Sequence, residues 1–492
     1  MSKQKPTIEQ MKGLDKFKQG HSFKVMAFAG TGKTTTLVMM ANDNKNKKGI
    51  YLAFNKKMAD EASRKFPDNV ECKTFHSLAY RNTPNHILRK VSSQRIYPRD
   101  IVNLYSLRPV RLQGRSCFHD FSANLLANFV LNTIKNFCKT SSKCLDIRHF
   151  HQTLTLKELE VKDELTNLLF PIIHQHWLRM IGDNDFPIDH DIYLKLWEMS
   201  NPQLDCDFIL VDEAQDSDPT SVSIVYNQKD KQVLYVGDKH QQIYTWRGAT
   251  NVMQTLPLEA IYLTQSFRFG DAVAETANLI LKRVLGEKNS IKGNKKLNSR
   301  VFYNKTRPEK LDAYISRTNG VGFGRYIDQV SANIPVDLLA DKTKILDFLK
   351  SADALKFGHV QNFGELRGFQ SWTEVIEHIK VNHDTQLGAM VRLSDNYSFN
   401  EVQAILEKGR NFQKNSSLIL TAHKSKGLEY DNVELGNDFQ YKIDKEILSL
   451  NSEEARLLYV AVTRAKQNLY ANGISDLLMA LQKGYRINLN KE

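Results

Sequence analysis

Long apolar runs are missing from this 492-residue chain. None approaches the roughly 18 apolar residues that a membrane-spanning helix needs, so no membrane partner is expected. The first ten residues, MSKQKPTIEQ, are polar and hold no secretory apolar region. Cysteine is scarce. The five thiols (Cys72, Cys117, Cys138, Cys144, Cys206) are scattered and form no C-x-x-C pair. An odd, dispersed set argues against a disulfide framework and against a zinc site, and fits a reducing, intracellular compartment. No internal repeat or low-complexity tract stands out. Acidic residues are also in deficit, 55 against 68 Lys and Arg, for a net charge of +13. That balance favours a polyanionic partner such as nucleic acid.

What is present is hydrophobic mass, 41% of residues, enough for several large cores. The stretch Met26–Thr36, MAFAGTGKTTT, reads as a phosphate-gripping loop. An apolar, strand-like run, Phe23–Phe28, precedes it and a helix-compatible run, Thr34–Ala41, follows. Backbone N–H groups around Gly30–Thr34 would face phosphate oxygens at a helix N-terminus. Lys33 would reach the β- and γ-phosphates, and the Thr34 hydroxyl would hold Mg²⁺. Ala27 takes the place of the first glycine of the usual G-x-x-x-x-G-K-[ST] pattern.

Alternating strand and helix continue with Gly49–Phe54, Lys56–Phe66 and Val70–Phe75, after a short amphipathic helix at Lys5–Phe17. This alternation predicts a parallel sheet flanked by helices. Residues 81–200 read as mostly helical, with Phe121–Phe137 and Thr155–Ile181 the clearest helices. Strands resume at Phe208–Val211 and Gln232–Val236. A second αβ region is expected from Ala260–Leu263 onward. It holds a helix at Asp271–Leu285, strands at Leu311–Ser316, Ser417–Thr421 and Val433–Leu435, a helix at Ser452–Arg464 and a closing strand at Gln467–Ala471. Residues 324–408 read as mostly helical, and the charged stretch Lys288–Arg300 as a solvated loop.

The run Phe208–Pro219, FILVDEAQDSDP, carries the second chemical signal. Two carboxylates end an apolar strand. Asp212 would coordinate Mg²⁺, and Glu213 would orient and deprotonate an attacking water.

With GTGKT, DEAQD and then Val236–Ala249, VGDKHQQIYTWRGA, the chain resembles the UvrD/Rep/PcrA-type DNA helicases of superfamily 1. Further motifs follow in order. Ile8–Gln10 resembles the adenine-reading glutamine motif. Ala53–Lys56 (AFNK) and Thr74–Ser77 (TFHS) resemble two DNA-contacting motifs. Tyr262–Gly270 (YLTQSFRFG), Thr421–Glu429 (TAHKSKGLE) and Leu458–Lys466 (LYVAVTRAK) resemble the fourth, fifth and sixth motifs. The wording of several is most similar to the helicase core of the F-box DNA helicase branch. The chain has no room for an F-box ahead of its nucleotide loop.

The resemblance implies an α/β fold of two RecA-like parallel-sheet domains of the P-loop NTPase type, each with a mainly helical insertion. Residues 1–80 and 201–259 would form the first domain and 81–200 its insertion. Residues 260–323 and 409–492 would form the second, with 324–408 a reduced insertion. ATP and Mg²⁺ are the implied cofactors. Gln10, Ala29, Gly30, Thr31, Gly32, Lys33, Thr34, Thr35, Phe267, Gly427 and Glu429 would bind nucleotide. Gln241 would sense the γ-phosphate, and Arg268 and Arg464 would act as arginine fingers. Phe28 stands where many relatives carry glycine, and its ring is expected to pack against a neighbouring motif. Phe54, His76, Tyr244, Trp246, Arg247 and His423 would hold single-stranded DNA through aromatic faces and cations.

The implied activity is DNA-dependent ATP hydrolysis driving 3′→5′ movement on single strands and unwinding of 3′-tailed duplexes, in repair or recombination. The setting would be cytoplasm or nucleoid, or the nucleus of a eukaryote, with a protein partner to load or direct the motor. The rival class is a nucleotide-gated DNA-binding subunit that unwinds little. A fused nuclease is disfavoured, because no carboxylate cluster lies outside these motifs and few residues follow the last expected strand.

Overall fold

Five consecutive buried residues, Phe23–Ala27, form β1, an interior strand of the first sheet. A strand with neither edge nor face toward water must be apolar throughout, and FKVMA nearly is. The Lys24 ammonium is the exception and donates to the Leu256 carbonyl at 2.8 Å. β2 (Gly49–Ala53), β3 (Val70–Thr74), β6 (Phe208–Val211) and β7 (Gln232–Gly237) are its fellow strands, with the hairpin β4 (Val110–Gln113) and β5 (Phe118–Phe121) set apart from them. With β8 (Ala260–Leu263) the sheet order is β3-β2-β6-β7-β1-β8. The pairings β2–β3, β2–β6, β6–β7 and β1–β7 are parallel, with Val25 opposite Val236 and Tyr51 opposite Leu210. Such a sheet sends its loops out at the carboxyl ends of the strands, where ligands bind in open α/β folds.

The structure is a computed structural model. It describes residues 5–490 apart from 93–95, 116, 157, 183, 245–250, 304–309, 362–363, 367–368, 383–384 and 410–415. The chain divides into two units. One comprises Met1–Met26, Lys33–Lys239 and Tyr244–Ile261, the other Ala27–Gly32, His240–Ile243 and Tyr262–Glu492. Among the described residues no helix is long and apolar enough to cross a membrane.

In the first unit the region after Arg81 is dominated by the helices Ala123–Cys138 and Lys162–Ile181. Their apolar faces meet at Phe137 and Trp177, whose rings stand edge to face at 5.1 Å. One core joins Phe75 and Leu78 to Leu165, Leu169 and Ile173 of this region. The seam is polar but satisfied. Lys195 is fully buried, donates to the carbonyls of Thr140 and Ser142 at 2.7 Å each, and pairs with Glu198 at 2.8 Å. The β4–β5 hairpin is the departure from the helical expectation. Its strands are four residues each, too short for their two-residue alternation to stand out in a helix-rich stretch.

The second unit is built on β9 (Arg300–Phe302), β10 (Ala313–Ser316), β11 (Val336–Leu338), β12 (Ser417–Thr421), β13 (Tyr430–Leu435) and β16 (Ala465–Tyr470). All pair in parallel in the order β11-β12-β10-β13-β16-β9. Between β13 and β16 lie β14 (Lys442–Asp444) and β15 (Ile447–Asn451), which join β17 (Arg486–Asn490) in a three-stranded sheet. The β14–β15 turn holds Lys445 and Glu446 at φ 44° and 62°, the left-handed pair that a tight hairpin requires. The helix Ser452–Val462, LLYVAV at its end, is almost wholly buried.

These two parallel sheets are the two RecA-like folds expected. Three placements differ from the sequence reading. Ala260–Leu263 is the edge strand of the first sheet, not the first strand of the second. Its order is decided by pairing to β1, which a four-residue strand does not encode. The helix Asn319–Ser331 leads into β11, so the helices that interrupt the second sheet run from Lys342 to Gly409 rather than from residue 324. A three-residue strand has no periodicity to read. Finally, β17 follows the strand expected to close the chain.

Candidate active site

In the first unit the helix Lys33–Asn42 starts directly on the phosphate loop. Lys33 Nζ lies 3.3 Å from Glu213 Oε1, both side chains largely buried. Thr34 Oγ1 donates to Asp212 Oδ2 at 3.3 Å, and the Tyr51 hydroxyl donates to the same oxygen at 2.7 Å. Burial, reinforced by the adjacent Glu213 charge, pushes the Asp212 carboxyl up; the Tyr51 hydroxyl and Lys33 pull it back. Burial and Asp212 push the Tyr51 phenol far up, so it remains a donor. Glu213 follows at φ 50°, a left-handed backbone that a non-glycine residue adopts at a cost of about 1–3 kcal/mol. Its N–H bonds Asp212 Oδ1 at 2.9 Å.

Gln215 ties this turn to the end of β7. Its Nε2 donates to Glu213 Oε2 at 2.5 Å, and its Oε1 accepts from the Asp238 N–H at 3.1 Å. The fit demands glycine at position 237, where a Cβ would stand 2.2 Å from Gln215 Oε1. Gln215→Leu removes a fully buried donor and acceptor together. It is expected to cost about 1–3 kcal/mol of stability, read as a lower denaturant midpoint. Gln10 is also engaged. Its Oε1 caps the Thr7 N–H at 3.0 Å and its Nε2 donates to Thr36 Oγ1 at 2.9 Å. Thr35 is exposed.

The tip of the loop belongs to the second unit. Gly30, at φ 72°, accepts from the Phe267 N–H at 2.7 Å, and a Cβ there would sit 2.6 Å from Arg268 Cβ. Thr31 Oγ1 donates to the Phe28 carbonyl at 2.8 Å. Gly32 is left-handed too, at φ 78°. The Phe28 ring is buried and stacks on His240 at 6.4 Å with planes 10° apart, as expected for a residue packing on a neighbouring motif. His240 Nε2 pairs with buried Glu287 at 2.8 Å and meets the Tyr459 ring edge to face at 6.3 Å. The Tyr459 hydroxyl accepts the Ala29 N–H at 3.0 Å. Next to His240, the Gln241 carbonyl accepts from Lys426 Nζ at 2.6 Å.

Arg268 and Arg464 converge on Thr463, and Glu429 pairs with Arg268. Arg268 Nε pairs with Glu429 Oε2 at 2.7 Å, and its Nη1 donates to the Thr463 carbonyl at 3.1 Å. Arg464 is 1% exposed. It donates to the carbonyls of Val460 at 2.9 Å and Leu428 at 3.0 Å and to Thr463 Oγ1 at 3.1 Å. Phe267 is half-buried. Gly427, at φ 83°, has open space where a Cβ would go.

Of the residues expected to face DNA, Phe54 and Tyr244 stack at 5.6 Å, 11° apart, both half-buried. His76 pairs with Asp191 at 3.4 Å and lies edge to face with Tyr193 at 6.0 Å. That bond to His76 holds the Asp191 carboxyl below its usual range. His423 is half-buried at the start of the helix that follows β12. Trp246 and Arg247 lie outside the described residues.

A family model described as an AAA domain matches residues 10–247. Another, described as the UvrD-like helicase C-terminal domain, matches residues 213–475, more than half of the chain. The chain belongs to the UvrD-like helicases. Similar proteins include F-box DNA helicase protein 1 of Schizosaccharomyces pombe, 32% identical over 94% of this chain and 57% of that protein. F-box DNA helicase 1 of Gallus gallus is 31% identical over 98% of this chain and 50% of that protein. A probable DNA helicase II homolog of Mycoplasma genitalium is 24% identical over 56% of this chain and 42% of that protein. The chain thus spans about half the length of the first two relatives.

In this UvrD-like chain the donors near the phosphate loop suit Mg²⁺. One buried carboxylate and one hydroxyl share a hydrogen bond, and no group of three His, Cys, Asp or Glu side chains is placed to hold a metal among the described residues. Magnesium is commonly held by one or two carboxylates together with substrate phosphates. Sequence reading of the UvrD-like motifs missed Tyr51, Gln215, His240, Glu287 and Tyr459. Gln215, His240 and Tyr459 lie inside the motifs and could have been singled out as polar groups in apolar company. Tyr51 and Glu287 have no local signal, because only the fold brings them to their partners.

Proposed function

We propose that this chain is an ATP-dependent DNA helicase and translocase, hydrolysing ATP to ADP and phosphate while moving 3′→5′ along single-stranded DNA. The observation that carries the reading is the meeting of Lys33, Thr34, Asp212 and Glu213 at the carboxyl ends of β1 and β6 in a UvrD-like chain. Lys33 neutralises charge on the β- and γ-phosphates. Glu213, held by Gln215, orients the attacking water and takes its proton. Magnesium, when bound through Thr34 and Asp212, supplies charge neutralisation on the phosphate oxygens. Arg268 and Arg464 are assigned to the γ-phosphoryl, Gln241 to sensing it, and Phe267, Glu429 and Gln10 to the nucleoside side. Phe54, Tyr244, Trp246, Arg247, His76 and His423 are assigned to the strand.

The names of the relatives, DNA helicases over most of this chain, support DNA as the polymer. Strand displacement from 3′-tailed and 5′-tailed duplexes by the isolated chain tests the reading. Displacement of the 3′-tailed substrate alone is the expected result. DNA-stimulated hydrolysis with no displacement would instead favour a nucleotide-gated binding subunit. Binding to single strands is expected to weaken with salt at a log–log slope of about −0.7 per phosphate neutralised. A flat response in a salt titration would count against a charged binding face.

A further inference from the structure

Between Arg81 and Arg115 eight Lys and Arg residues stand against a single acid, Asp100. Lys90 is buried, with its ammonium on the Met180 and Gly182 carbonyls at 2.7 Å each. Arg81, Arg89, Arg99, Arg108, Arg111 and Arg115 are exposed. No helicase motif covers this stretch.

It ends in the β4–β5 hairpin, whose register puts Gln113 opposite Phe118, Arg111 opposite Asp120 and Val110 opposite Phe121. Side chains alternate faces along a strand, so Arg111, Gln113, Phe118 and Asp120 share one face. The other face roots the hairpin. Phe121 is buried, and Val110 and Leu112 pack on the same core. His119 pairs with Glu160 at 3.3 Å. Gly114 closes the turn with its N–H on the Cys117 carbonyl at 2.8 Å, where a Cβ would stand 2.5 Å from His119 Nε2. On this anchored ribbon the outward position 118 should be polar. Instead it carries a phenylalanine, 54% exposed. The Arg111 guanidinium lies over its ring at 4.9 Å and reaches Asp120 at 3.5 Å.

We infer that the outer face of this hairpin, with its exposed arginines, is a second contact for single-stranded DNA. Phe118 stacks on a base, and Arg108, Arg111 and Arg115 engage the flanking phosphates. The inference rests on the motor reading for the identity of the polymer. A planar aromatic ring braced by a cation is what sequence-tolerant base stacking uses, and arginine forks suit phosphate. A rigid ribbon also pays little ordering entropy on binding.

Fluorescence anisotropy of labelled oligothymidine with the full chain tests it. Phe118→Ala is expected to weaken binding by about 5- to 150-fold, the range for one stacked base. Phe118→Trp should retain affinity, and the new indole emission should be quenched by the oligonucleotide. Replacing Arg108 and Arg115 with Ala should make the salt dependence shallower by about 0.7 for each phosphate that is no longer neutralised. Unchanged affinity in Phe118→Ala together with an unquenched Phe118→Trp would overturn the inference. So would unchanged oligonucleotide affinity with weakened retention on anionic lipid vesicles, which would assign the patch to a lipid surface. Failure of the unsubstituted chain to bind oligothymidine is a separate result, and it would overturn the motor reading itself and this contact with it.

Discussion

Lys33→Ala is expected to lower ATP turnover by about 10³-fold or more, with or without DNA. Lys33 sits 3.3 Å from Glu213 and is one of the influences that hold the Asp212 carboxyl down. Its loss therefore acts twice. The phosphates lose the cation that draws charge toward the loop, and the adjacent Asp212 and Glu213 carboxylates lose a neighbouring positive charge. The second effect pushes the Asp212 carboxyl further up, which weakens it as a ligand for a hard cation. Lys33→Met keeps the stem and separates charge from packing. Phosphate release measured across a DNA titration is the readout. Turnover that DNA still stimulates in Lys33→Ala would remove this loop from the chemistry. A melting temperature close to that of the parent is expected, since the ion pair is small and the helix N-terminus stays intact.

Arg268→Ala is expected to cut turnover by about 10³- to 10⁵-fold if its guanidinium stabilises charge on the transferring phosphoryl group. The residue is held ready by two partners, Glu429 at 2.7 Å and the Thr463 carbonyl at 3.1 Å, and a little of its side chain remains exposed. Arg268→Lys should not rescue activity. A single ammonium cannot keep both partners and reach a phosphate, whereas the guanidinium presents five donors in a fixed fork. The loss should fall on kcat more than on KM, because the charge it answers develops in the transition state. A fall confined to KM would recast Arg268 as a ground-state binder. Glu429→Gln is the companion variant. It frees the guanidinium from its ion pair while leaving the side-chain length unchanged.

The strands Phe208–Val211, Ala260–Leu263 and Ser417–Thr421 were legible to the residue, because short apolar runs bounded by polar turns leave little choice of limits. Their neighbours were not. Sheet order depends on pairing across hundreds of residues, and so Ala260–Leu263 carried no sign that it belongs beside β1. The hairpin at 110–121 was hidden for a different reason, its period-two signal being too brief among helices. At the site, the charged residues of the loop and of DEAQD could be named from spacing alone, since phosphate and metal chemistry restrict the residue types. The groups that hold them could not. Tyr51 is reached only through the β2–β6 pairing, and Glu287, which lies outside every motif, meets His240 across 47 residues.

Glu287 follows a π-helical turn, Ile280–Val284, that ends the helix begun at Asp271. Such a turn holds more residues than an α-turn and behaves as a one-residue insertion absorbed within the helix. Chain length at this point is therefore a matter of phase. Removing one residue inside 280–284 is expected to tighten the turn to an ordinary α-turn and keep Glu287 facing His240. Removing Leu285 or Gly286, where Gly286 turns at φ 64°, would rotate the carboxylate away. The segment should thus tolerate a shortened helix where it would not tolerate a shortened loop.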